Sequence, residues 1–205
     1  MGFTRAELES YRGAEVPDLL PEQTEVEAGV LPATRLLFVG INPGLWTAAT
    51  QTHFAHPGNR FYPALLRAGI IDHGIDPAVG MTLDDRRMLL ARGIGITNVV
   101  RRATARADEL SRDELRAGGR ALHELVLQRQ PRVVAIAGIT AYRSAFDHPK
   151  AQVGEQAESW GNSRVFVVPN PSGLNAHETI DSLAAAYAGP ARVAGMIGPS
   201  DAVAQ

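Results

Sequence analysis

The sequence predicts an α/β fold, a three-layer α/β/α sandwich around a central, mostly parallel sheet of four to five strands. Three observations predict it. Short apolar runs fall at 36–39, 94–100, 133–137 and 164–168, the second of them β-branched, largely without the polar alternation of a half-exposed strand; that suits strands buried on both faces. Stretches with helical spacing and capping patterns separate the runs, and strands alternating with helices imply parallel pairing through crossovers. Two of the runs end in similar loops, Gly40-Ile41-Asn42-Pro43-Gly44 and Pro169-Asn170-Pro171-Ser172-Gly173-Leu174-Asn175.

The elements follow in order. Thr4 to Tyr11 reads as a short helix, with Thr4 as N-cap and Glu7 three residues on, a capping box. Residues 13–32 carry Pro17, Pro21 and Pro32 among acids and read as a surface arm. Strand one covers about 35–41. The loop 42–59 is rich in Thr, His, Gly and Pro and long enough to be functional. Asn59 to Ala68 reads as a helix that turns Phe61, Leu65 and Leu66 inward and closes at Gly69. Thr82 caps a helix over Leu83 to Ala91, ended by Arg92-Gly93, and Ile94 to Val100 is the second strand. Ser111 and Glu114 open the longest helix, to about Arg129, with Leu115, Leu122, Leu125 and Val126 at helical spacing and Pro131 as its stop. Val133 to Ala137 is the third strand, followed by a helix over Thr140 to Phe146, and Arg164 to Val168 is the fourth. A helix from about His177 to Tyr187 precedes an Ala/Gly/Pro-rich tail. The expected organisation is an N-terminal helix and acidic arm (1–34), one main domain (35–188) and a flexible C-terminal tail (189–205).

Composition narrows the function. A chain of 205 residues, 45% apolar and 20% charged, suits one ordinary domain. No apolar run approaches a membrane span and the N-terminus has no basic-then-apolar signal pattern, so no membrane partner is expected. Cysteine is absent, which excludes disulfides, thiol catalysis and cysteine-ligated zinc or iron–sulfur sites and is compatible with the expected cytoplasmic location. His53 and His56 are three apart with no third ligand evident, so no metal site is expected. The formal net charge is −2, yet residues 1–34 hold seven acids against two Arg, and residues 86–132 hold eleven Arg against five acids. Such a basic segment suits a phosphate backbone, although a solvated helix face accounts for most of these Arg.

Ligands of open α/β sheets bind at the carboxyl ends of strands, where Asn42 and Asn170 are delivered. On spacing alone, the plainer reading of Asn42 is a capping residue in an ordinary βα turn. If the two Asn-bearing strands neighbour each other, both loops converge on one crevice.

Together, GINPG, FAHPGNRF, GITNVVRRAT, SRDELRAGGRAL, QPRVVAIAGITAY and VVPNPSGLN resemble the mismatch-specific uracil/thymine-DNA glycosylases of the uracil-DNA glycosylase superfamily. The similarity runs from about Leu36 to Tyr187, with the motifs in the family's order. It implies a monofunctional DNA glycosylase domain over 35–188, acting as a monomer on double-stranded DNA that contains a mispaired or damaged base. The implied reaction flips uracil (with thymine or other damaged bases as further substrates) from opposite guanine and hydrolyses its N-glycosidic bond in base excision repair. It needs no cofactor and no metal.

The resemblance also implies roles. Asn42 positions the attacking water, which an amide can orient but not deprotonate. Phe54, twelve residues on, stacks on the flipped base, although without the resemblance core packing is the favoured reading. The backbone of Ile41 and of the Phe54 segment contacts the base edge, Gly44 permits close approach, and Asn98 is a polar pocket position. Asn170 lies near the leaving base. Ser172 holds phosphate, while Gly173, Leu174 and Asn175 form a wedge that fills the vacated stack. Arg101, Arg102 and Arg106, which follow strand two, are the favoured phosphate contacts, with ordinary surface arginines as the plainer reading. Ala176 stands where some relatives carry Arg. His53 and Asn98 look like the thymine-processing branch, whereas Thr47, facing the ring's C5 side by analogy, obstructs a methyl group; uracil is the expected base. The only lysine, Lys150, lies outside the motifs, so no Schiff-base lyase activity is expected. A non-catalytic damaged-base module and a nucleotide-binding or small-molecule hydrolase remain the other readings.

Overall fold

The apolar runs form strands because helices cover both of their faces. The computed structural model describes residues 2–198. In chain order its elements are α1 (Arg5–Glu9), α2 (Gln23–Glu27), β1 (Leu36–Gly40), α3 (Leu45–Thr50), α4 (Phe61–Arg67), α5 (Leu83–Ala91), β2 (Ile94–Asn98), a 3₁₀ turn (Ala107–Glu109), α6 (Arg112–Arg129), β3 (Val133–Ala137), α7 (Ile139–Ala145), β4 (Gly154–Trp160), β5 (Ser163–Val168) and α8 (Ile180–Val193). The strands form one sheet in the order β2-β1-β3-β5-β4. All pair in parallel except β4, which is antiparallel to β5.

Alternate side chains of β1 enter different cores. Leu36 and Phe38 join Phe61, Leu65, Leu89, Leu183 and Tyr187, from α4, α5 and α8. Leu37 and Val39 join Leu122 and Val126 of α6 and Tyr142 and Ala145 of α7. Each fully buried Leu, Val or Phe is worth about 1.5–3 kcal/mol, so these two cores dominate the fold's stability. The expected three layers are present. Gly118 and Gly119 explain the double glycine inside α6. A Cβ on Gly118 would lie 2.1 Å from the Val99 carbonyl oxygen, and one on Gly119 would lie 2.7 Å from that of Ala145. Two weak helix formers are the condition for seating this helix against the loop after β2 and against α7.

Several expectations change. The expected surface arm holds only over 22–32, which are exposed or half-exposed; its first part is anchored, with Val16 and Leu19 2% and 5% exposed. Leu19 exchanges both backbone hydrogen bonds with Ile96, at 2.8 and 2.9 Å, and so covers the outer edge of β2. Pro17 and Pro21 keep this cover from becoming a full strand. The loop 42–59 contains α3. Leu66 is 42% exposed rather than inward, because α4 directs Phe61, Tyr62, Ala64 and Leu65 to the core. β4 escaped notice because its sequence GEQAESW is polar; it is an edge strand with alternating burial. The last helix starts at Ile180, capped by Thr179, and runs through Pro190 to Val193. Burial of Ala188, Pro190 and Ala191 outweighs the hydrogen bond that Pro190 cannot donate. The first residues of the expected tail are therefore helical, and its residues 199–205 lie outside the described ones.

β1 and β5 do not neighbour each other; β3 lies between them. The chain leaves β1 for β2 on one side and returns to β3 on the other, so the carboxyl end of β1 is the switch point at which sheets of this kind bind ligands.

Candidate active site

Asn42 sits where the β1–β2 pairing continues beyond the strands, with N–H groups of Val99, Val100 and Thr104 bonded to the carbonyls of Gly40, Ile41 and Pro43. Its Nδ2 donates to the carbonyls of Pro43 and Arg102, both at 3.1 Å, and to the Thr104 hydroxyl at 2.7 Å. The Thr104 hydroxyl in turn donates to the Arg106 carbonyl at 2.7 Å. Carbonyls only accept, so the amide's orientation is determined: its NH₂ faces the protein and its Oδ1 faces away from those partners. Asn42 does not cap α3, whose N-cap is Gly44.

The adjoining floor is built from Gly40, Asn98, His53 and Phe54. Gly40 and Asn98 are register partners on β1 and β2. A Cβ on Gly40 would lie 2.4 Å from Asn98 Oδ1 and 3.4 Å from Phe54 Cζ, so glycine is the condition for both side chains to close over the strand end. His53 is 2% exposed. Its Nε2 lies 3.0 Å from the Pro17 carbonyl, which requires the proton on Nε2. The unprotonated Nδ1 then accepts from Asn98 Nδ2 at 3.1 Å, which leaves Asn98 Oδ1 over Gly40 as an acceptor. Desolvation pushes the His53 pKa down, against the opposing pull of the Pro17 hydrogen bond, and the ring is neutral.

Phe54 takes a left-handed backbone, φ 57°, a costly conformation for a bulky residue. Its ring stacks on Phe61 at 4.0 Å between centroids and 25° between planes, and the residue keeps part of its surface exposed. Phe54 thus packs at the edge of the core and keeps part of its surface open beside Gly40. Thr47 is buried on α3, and its hydroxyl accepts from the Ala55 N–H at 3.2 Å. His53 and His56 diverge: His56 is exposed and its Nδ1 accepts from the Gly58 N–H.

The opposite wall comes from the end of β5. A Cβ on Gly138, which follows β3 with φ 118°, would lie 3.3 Å from Ile41 Cδ1 and 3.7 Å from Asn170 Nδ2. The ends of β1, β3 and β5 therefore meet over this glycine, and the two Asn-bearing loops approach each other without neighbouring strands. Asn170 Oδ1 accepts from the Ser172 N–H at 2.9 Å, and the Asn170 carbonyl accepts from Asn175 Nδ2 at 3.1 Å. Leu174 N–H meets Ser172 Oγ at 3.3 Å. This tight turn carries Leu174 at 93% exposure, the most exposed large apolar side chain among the described residues. Gly173 lies against Gly58, whose carbonyl oxygen would be 2.6 Å from an added Cβ.

Arg101 and Arg102 have acidic partners. Arg101 pairs with Asp18, which also accepts from the Thr97 hydroxyl at 2.6 Å, and Arg102 bonds Glu114 at 2.7 Å. Sequence reasoning missed Gly138, Thr104 and Pro17; only Gly138, a glycine closing an apolar run, left a local signal. Among the described residues no three His, Cys, Asp or Glu side chains gather as a metal site.

The site therefore offers an oriented amide oxygen, an aromatic ring with a partly open surface, an acceptor over a bare strand end and a projecting apolar side chain. A family model described as the uracil DNA glycosylase superfamily matches residues 28–188, most of the chain.

Proposed function

The chain belongs to the uracil DNA glycosylase superfamily, whose members are hydrolases that remove bases from DNA in base excision repair, and from that premise we propose a monofunctional enzyme that excises uracil mispaired with guanine. The observation that carries the reading is the orientation of Asn42. With Nδ2 held by three acceptors, its Oδ1 accepts a hydrogen bond from water and directs the water's lone pair at the sugar carbon. An amide removes no proton near neutral pH, so the step relies on the oxocarbenium character of the sugar: the N-glycosidic bond breaks, the base departs as an anion, the water oxygen bonds to the sugar carbon and its surplus proton passes to the departed base anion. Rate comes from positioning and from the surrounding dipoles.

Recognition follows from the neighbours. The Phe54 ring provides a stacking face, worth about 1–3 kcal/mol for a base. Asn98 Oδ1 suits the N3–H of uracil or thymine, whereas cytosine carries an acceptor at that position. Thr47 limits room beside a C5 methyl, and uracil is the preferred substrate. Leu174 fills the stack after flipping, with Ser172 and Asn175 on the backbone beside it. Arg101 and Arg102 exchange their carboxylate partners for phosphates. The protein acts as a monomer in the cytoplasm. Cutting at the abasic product does not follow, since the sole lysine, Lys150, lies outside the motifs.

The test is a set of end-labelled duplexes with uracil opposite guanine, uracil opposite adenine and thymine opposite guanine, incubated with protein and then treated with hot alkali. Alkali-dependent cutting, fastest for uracil opposite guanine, supports the reading. Cutting without alkali contradicts the monofunctional claim, and no cutting of any uracil duplex contradicts the substrate.

A further inference from the structure

Arg60 binds one loop with four of its six N–H donors. Its backbone N–H donates to the Pro171 carbonyl at 3.0 Å. Its Nη2 donates to the carbonyls of Ser172 at 2.6 Å and Asn175 at 2.7 Å, and Nη1 donates to the carbonyl of Glu178. The guanidinium thus bonds only main-chain carbonyls among the described residues, and its Nε is buried without a partner. A cation held this way, with no carboxylate to neutralise it, is costly unless the held segment benefits. That segment runs from 171 to 178 and carries Leu174 at its tip.

We propose that Arg60 is the positioning residue of the wedge loop, holding Leu174 in the geometry that enters the duplex. In a trans peptide the N–H points opposite to the preceding carbonyl. The carbonyls of Ser172 and Asn175 point in at Arg60, so the N–H groups of Gly173 and Ala176 point out from it. The same bonds that steady Leu174 therefore present donors to the orphan base and the neighbouring phosphate. Gly58 and Gly173, in contact beside Arg60, let the two turns lie this close. A loop ordered before binding spares the ordering cost at the moment of insertion. This role rests on the reading of Leu174 as the wedge, and Arg60 acts through that residue without touching the reacting atoms.

The test is a double-mutant cycle in single-turnover excision of uracil opposite guanine, with wild type, Arg60→Gln, Leu174→Ala and the double variant, and Arg60→Lys as the conservative control. Losing charged hydrogen bonds slows excision by about tenfold in the wild-type background. In the Leu174→Ala background the same substitution has little further effect, because the wedge it positions is gone. Arg60→Lys, which keeps the charge and some donors, recovers part of the rate. An Arg60→Gln effect equal in both backgrounds overturns the proposal, as it would mark a general packing role. No effect in either background overturns it too. Failure of wild type to cut the duplex overturns the glycosylase reading and the wedge with it, whereas an active wild type with an additive cycle removes only the role of Arg60.

Discussion

His53 Nδ1 accepts a hydrogen bond from Asn98 Nδ2 at 3.1 Å, and a third residue determines its direction: the Pro17 carbonyl, 3.0 Å from Nε2, holds the ring's proton on the far side. A carbonyl in the N-terminal segment thereby decides that Asn98 presents an acceptor at the strand end.

That chain of bonds has a pH signature. Burial holds the His53 pKa below its ordinary value of 6.5, so the unfolded chain binds a proton that the native one resists. Stability is unaffected by this group above about pH 6.5 and falls as pH drops below it. Melting curves between pH 5 and 8 are expected to show that loss in wild type, and a smaller loss in His53→Gln.

Asn42→Asp is expected to cost stability as well as change the rate. The position now filled by NH₂ faces two carbonyl oxygens, and a carboxylate oxygen there has no hydrogen to give them. A loss of about 1–3 kcal/mol follows from leaving those partners unmet. Chemical denaturation checks it, and a variant as stable as wild type would contradict the anchoring geometry.

Gly118→Ala separates propensity from packing. In an isolated helix alanine is favoured over glycine by about 1 kcal/mol. Here the new Cβ would lie 2.1 Å from the Val99 carbonyl oxygen, so α6 must shift and the midpoint of thermal unfolding is expected to fall by several degrees. A rise would contradict the placement of α6 against the loop after β2.

Arg101→Ala and Arg102→Ala test the phosphate contacts through salt. Each lost contact lowers the slope of log affinity against log salt by about 0.9 on duplex DNA. An unchanged slope would mean that these residues keep their partners Asp18 and Glu114 when DNA binds.

The parallel strands and the helix caps were legible because each rests on local chemistry: Thr4, Thr82 and Ser111 all cap as their sequences predict. β4 was not legible, because an edge strand needs no apolar run, although the Gly161-Asn162 pair between Trp160 and Ser163 is a hairpin signal. The segment around Val16 and Leu19 read as an arm because its prolines and acids hide two buried apolar anchors. Asn42 and Asn170 were legible as strand-end polar residues. Thr104, Pro17 and Arg60 were not: each contributes through partners 36 to 118 positions away, and no local pattern announces such a contact.

The most direct measurement is single-turnover release of uracil from a uracil·guanine duplex by wild type and Asn42→Ala, with binding to a duplex holding an abasic-site analogue measured in parallel. The account predicts measurable release by wild type, at least about a hundredfold slower release by the variant and near-equal affinity for the product analogue, since loss of an oriented water affects the chemical step alone. Equal release rates for the two proteins would contradict it, because the anchored amide of Asn42 would then have no part in the reaction.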